Sequence, residues 1–139
     1  MKLILRDNHQ LIVRFDRGEE VIEALKTFCR GEEIRAAAFS VIGAASEVTL
    51  SFYDLDTRQY RDTTFAEPLE IAGLLGNVAR MGDEMVIHAH GTFLDPAMQV
   101  KGGHVKRLVA SGTCEVFLTS LTGAIERTQD EATGLNLMR

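Results

Sequence analysis

The sequence predicts an α+β domain: a mainly antiparallel sheet of about seven strands packed with one or two helices. Three observations lead there. One stretch, residues 18–30, carries the apolar spacing of an amphipathic helix. The remaining apolar residues fall in short runs, several of them strictly alternating. Turn chemistry, rather than helix-length crossovers, separates most of these runs, and short connections favour antiparallel neighbours.

The elements follow in order. Lys2–Arg6 and Leu11–Phe15 flank the polar stretch Asp7-Asn8-His9-Gln10 and read as a hairpin, with His9 on the surface of its turn. Asp16, followed three residues later by Glu19, resembles a capping box, so the helix is expected from Gly18 to Arg30. Val21, Ile22, Leu25, Phe28 and Cys29 form its buried stripe, and Gly31 is a natural stop. Ala36–Ile42 is small and apolar, as in a strand covered on both faces. At Gly43-Ala44-Ala45 only small residues stand where another backbone could approach. Glu47–Tyr53 alternates, Asp54-Leu55-Asp56-Thr57 turns, and Arg58–Phe65 returns as the partner strand. Pro68 opens the strand Leu69–Val78; a loop at Arg80-Met81-Gly82-Asp83 leads to Met85–Leu94. Cys114–Leu121 is the last strand expected. Residues 1–122 thus form one domain, and residues 123–139, polar and aperiodic, are expected as a loosely held tail.

Composition bounds the function. At 139 residues the chain can build a full core without staples. No apolar run is long enough to span a membrane, and an acidic residue at Asp7 comes too early for a signal-peptide core. Cys29 and Cys114 stand far apart among apolar neighbours, as buried free thiols of a cytoplasmic protein. A net charge of −5, with scattered Lys and Arg, argues against broad nucleic-acid affinity.

Three of the four histidines lie between His88 and His104. On a strand, His88 and His90 project to one face with Val86 and Thr92, while Ile87, Ala89, Gly91 and Phe93 face the core. Gly102-Gly103 would let a turn aim His104 back toward them, completing three nitrogen ligands. Three protein ligands with an open fourth position is the pattern of catalytic zinc, and it would let a metal polarise a carbonyl or activate water. The alternative is two half-buried strand histidines satisfied by hydrogen bonds and a third in an ordinary turn. Glu67, Glu70 and Glu115 are candidates to orient the imidazoles, though each reads more readily as a solvated charge, and Cys114 is a weak fourth ligand. The spacing Gly82, His88, His90, Asp95, Gly102 also matches the first motif of cupin barrels, with Asp95 where cupins place Glu. The second cupin motif is missing.

Gly18-Glu19-Glu20, Val41-Ile42-Gly43-Ala44 and Val48-Thr49-Leu50-Ser51-Phe52-Tyr53-Asp54 occur in the order seen in a known family. So do Glu67-Pro68-Leu69-Glu70-Ile71, Leu74-Leu75-Gly76-Asn77, His88-Ala89-His90, Gly102-Gly103-His104 and Thr113-Cys114-Glu115-Val116. Together they resemble the PPC domain (plants and prokaryotes conserved domain), in its stand-alone prokaryotic form, from about Leu3 to Leu121. The resemblance implies an antiparallel sheet, a homotrimer, and a metal site, for zinc or another divalent transition metal, at His88, His90 and His104. Plant members bind A·T-rich DNA through a separate Arg-Gly-Arg-Pro segment, which this sequence lacks. Two functions therefore stand: a metal-centred trimer that binds or transforms a small molecule, and a non-catalytic interaction or regulatory module with DNA association. In a third use, metal or hydrogen bonds at the same histidines would stabilise the assembly.

Overall fold

The computed structural model describes residues 1–139. In chain order the elements are β1 (Lys2–Asp7), β2 (Gln10–Phe15), α1 (Val21–Gly31), β3 (Ala37–Asp54) and β4 (Gln59–Phe65). They continue with β5 (Leu69–Met81), β6 (Glu84–Leu94), β7 (Val100–Ser120), β8 (Arg127–Gln129) and β9 (Asn136–Met138). A 7-stranded antiparallel sheet runs β1-β2-β7-β6-β5-β3-β4, and β8 pairs with β9 in a separate ribbon. Because β7 also pairs with β3, the circuit β3–β5–β6–β7 closes on itself. With a single helix of 11 residues, the domain is strongly β rather than a balanced α+β, and no second helix forms. The reason is visible in the lengths: β3 has 18 residues and β7 has 21, each absorbing what read as several pieces or as loop.

The bend in β3 is the clearest case. Ala36–Ile42 and Glu47–Tyr53 join into one strand through Gly43, whose φ is 137° and where the register with both neighbours shifts. A Cβ at Gly43 would lie 2.2 Å from the Thr113 carbonyl oxygen. The glycine therefore lets two backbones touch and does not end the strand. Gly43→Ala should lower stability by roughly 2–4 kcal/mol, combining backbone strain with a rigid clash. Urea denaturation would measure it; a midpoint equal to wild type would show that β7 yields at no cost.

At the helix the capping residue differs from expectation. Glu19 does accept the Asp16 N–H at 2.7 Å, but in a turn ahead of α1. The Gly18 N–H donates to the Ala110 carbonyl and Ala110 N–H donates to that of Glu19, so these residues are tied to β7 and the helix begins later. Glu20 is the cap: its carboxylate accepts the Ile22 and Glu23 N–H groups, and the Leu108 N–H of β7 as well. The helix stripe is buried as expected, in one core of 29 residues with Phe15, Val41, Leu74, Phe93, Val116 and Leu118. Each large side chain fully buried there contributes roughly 1.5–3 kcal/mol. Both cysteines are free and buried, and burial pushes each thiol up to about 12, so neither is a nucleophile near neutral pH. No helix is long and apolar enough to cross a membrane.

The segment after Gly123 is not loosely held. The Arg80 N–H donates to the Ile125 carbonyl at 2.8 Å, the Tyr53 hydroxyl donates to the Thr133 carbonyl at 2.7 Å, and Arg127 is buried. Its polar groups are met partly within the segment, as where Thr133 donates to Asp130, and partly by the body of the domain, which is why composition alone reads as tail.

Candidate metal centre

Alternation on β6 sends Met85, Ile87, Ala89 and Phe93 into the core and His88 and His90 to the outer face. β7 runs antiparallel beside it, with His90 opposite His104, Gly91 opposite Gly103 and Thr92 opposite Gly102. His104 therefore reaches its neighbours by strand register and not by a turn. Gly102 and Gly103 serve close strand approach: a Cβ at Gly102 would sit 3.0 Å from the Gly91 carbonyl oxygen. The imidazole centroids are 5.2 Å apart for His88–His90 and for His88–His104, and 5.4 Å for His90–His104.

One nitrogen from each ring lies within 4.8 Å of the others. Zinc–nitrogen bonds of about 2.0–2.1 Å place tetrahedral ligands roughly 3.4 Å apart, so side-chain rotation would close the set on a metal. Burial, and then the neighbouring imidazoles, push His104 down to about 4. His88 is lowered by burial first and then by the Arg127 guanidinium and His90. Both rings are thus neutral at pH 7 with lone pairs free for coordination, and the donor set fits a divalent transition metal.

The three rings line a pocket of about 600 Å³. Tyr53 and Tyr60 meet in a tilted pair, ring centroids 4.8 Å apart, with Tyr60 5.6 Å from His104. Leu135 and Leu137 of the C-terminal segment line it as well. At the edge, the Ser51 hydroxyl and Lys106 each donate to Asp62 at 2.6 Å, which holds that carboxyl below its usual range. Arg127 enters from β8, donating to the Asn136 carbonyl at 2.7 Å and the Asn77 amide oxygen at 2.9 Å, with the His88 Nδ1 at 3.4 Å.

The other expected participants stand elsewhere. Glu67 pairs with Lys101 at 3.6 Å, Glu70 is exposed opposite Leu94, and Glu115 lies opposite Arg14; none hydrogen-bonds an imidazole. Cys114 points into the core, on the face away from the histidines, and is no ligand. Asp95 accepts the Ala97 and Gln99 N–H groups and Lys101, holding the β6–β7 turn. His9 lies exposed in its hairpin turn, as expected.

Sequence reasoning passed over Arg127, Tyr53 and Tyr60. The tyrosines, the only two in the chain, flank a predicted hairpin turn, so their pairing was within reach of register counting. Arg127 carried no local signal, because a charged residue in a polar stretch normally reads as solvated.

The Plants and Prokaryotes Conserved (PCC) domain matches residues 5–122. A metal-containing protein from Archaeoglobus fulgidus is 33% identical, with a TM-score of 0.89 over 100% of this chain and 99% of that one. A candidate DNA-binding protein from Bacteroides thetaiotaomicron is 30% identical, with a TM-score of 0.94 over 97% of this chain and 94% of that one. A plant- and prokaryote-conserved protein from Pyrococcus horikoshii is 28% identical, with a TM-score of 0.88 over 94% and 90%. No curated protein matches the chain.

Proposed function

Since this chain belongs to the Plants and Prokaryotes Conserved domain family, we propose that it is a homotrimeric metal protein in which His88, His90 and His104 hold a divalent metal, zinc before others, beside a small-molecule pocket. The observation that carries this reading is the convergence of three imidazoles, two of them held neutral, at the edge of that pocket. The name of the Archaeoglobus relative, a metal-containing protein, supports it. Zinc stands first because imidazoles suit it and three protein ligands leave a position open. Bound there, it would supply a Lewis acid facing the pocket. The chain's own groups line the pocket: Tyr53 and Tyr60 offer aromatic faces, and Leu135 and Leu137 of the C-terminal segment add apolar contact. No carboxylate hydrogen-bonds the imidazoles, and Asp62 at the pocket edge is held by Ser51 and Lys106, so the proposal is of binding at a metal centre.

Support for the trimer comes from the outer sheet face, where Leu75, Ile42 and Phe117 are 71%, 51% and 42% exposed. Large apolar side chains grouped on a solvent face mark an interface between chains. The second reading, a DNA-associated regulatory module, is favoured by the name of the Bacteroides relative and opposed by the net charge of −5.

Elemental analysis of protein purified without a histidine tag tests the centre. The expected result is about one zinc per chain, lost in His88→Ala/His104→Ala while the fold is retained. Metal-free protein that added zinc cannot load would overturn the metal reading. Salt-sensitive binding to A·T-rich duplex would then favour the DNA module.

A further inference from the structure

Arg127 is buried to 7% exposure, yet it makes no ion pair with any carboxylate. Its partners are a backbone carbonyl, an amide oxygen and, at 3.4 Å, a ring nitrogen, all of them uncharged. Its Nε is buried without any partner. Buried arginines are almost always paired, because an uncompensated charge in a low-dielectric site is costly. This one lines the same pocket as the three histidines.

The surrounding charges do not settle it. Lys106 and Asp62 neutralise each other at 2.6 Å, and Asp62 also accepts from Ser51. A divalent ion among the imidazoles would add positive charge. One unbalanced guanidinium therefore remains, in the lining of a cavity that also holds the imidazoles, Tyr53, Tyr60, Leu135 and Leu137.

We infer that the pocket takes a small monoanionic carboxylate, and that Arg127 is the residue that recognises it. A guanidinium fork matches a planar carboxylate in geometry as well as charge. In the metal-free protein the single uncompensated cation matches one negative charge, whereas a phosphate dianion would leave charge unbalanced. With a metal on the histidines, the carboxylate would lie between two positive centres, its apolar part against Tyr53 and Tyr60. The inference deepens the small-molecule reading above, but it does not need the metal, since Arg127 is unpaired either way.

The test is a titration of acetate, pyruvate and benzoate against acetamide, benzamide and inorganic phosphate, by ligand-observed NMR and calorimetry. It is run on zinc-loaded and on chelated protein. At least one carboxylate should bind tenfold or more tightly than the amides and, on chelated protein, tenfold or more tightly than phosphate. Arg127→Gln should weaken that ligand about 10–100-fold, the range of a lost charge-assisted hydrogen bond, and leave the amides unchanged. Arg127→Lys, which keeps the charge without the fork, should fall between them and control for loss of the β8–β9 ribbon. Equal binding of carboxylate and amide, no carboxylate binding up to about 10 mM, or wild-type affinity in Arg127→Gln would each overturn the inference. Selectivity that persists in protein unable to load zinc would leave this inference standing and sink the metal reading. Zinc loading without carboxylate selectivity would do the reverse.

Discussion

Zinc at about a hundredfold excess over its dissociation constant should raise the melting temperature of chelated protein by roughly 6–12 °C, and His104→Ala should abolish the rise. A ligand held only by the native state at that excess stabilises by about 2.7 kcal/mol, and each kcal/mol moves a domain of this size by a few degrees. His104 is the decisive position because it alone comes from β7; His88 and His90 both belong to β6. A metal held by all three would tie two strands together, whereas His104→Ala leaves two donors on one strand. At pH 7 the ion has no proton to displace from His104, which burial holds down at about 4. Differential scanning calorimetry decides it. A melting temperature indifferent to zinc would mean that the histidines are satisfied by hydrogen bonds alone.

Wild-type protein should run in light scattering at three times the 15.4 kDa chain mass, and Leu75→Glu/Phe117→Glu at the mass of one chain. Leu75 on β5 and Phe117 on β7 stand opposite the same residue of β3, Ser40, with Ile42 two positions along. The patch is thus continuous across three strands, and a carboxylate inside it would have to be desolvated on assembly. Both side chains are already exposed in the single chain, at 71% and 42%, so the variant should keep its fold; surface changes of this kind usually cost under about 0.5 kcal/mol. Far-UV circular dichroism would separate dissociation from unfolding. A wild type that runs as one chain would remove the trimer.

Legibility in the sequence followed the range of the forces involved. The helix stripe and the inward and outward faces of β6 were readable because side-chain alternation is local. The three histidines were readable as a cluster because two share a strand face and the third follows closely. What misled was glycine. Gly102-Gly103 read as a turn, yet it lies inside β7 where another backbone comes near; at Gly43, where a close approach was expected, the strand runs on through the bend, and no local window contains either partner strand. Arg127 escaped for the same reason: its partners Asn77 and His88 lie on β5 and β6, far back in the chain. The helix cap moved from Asp16 to Glu20 because contacts to β7 outweighed a local motif.

The family match ends at residue 122, and Arg127, Leu135 and Leu137 lie beyond it. The imidazoles and the wall that faces them are therefore built from separable stretches of chain. Substitutions confined to the β8–β9 ribbon would reshape that wall and leave the three rings on β6 and β7 in place, with Arg127, 3.4 Å from the His88 Nδ1, as a point where the two stretches meet. A chain grafted with a different ribbon would be expected to keep the three rings together and change what the pocket admits.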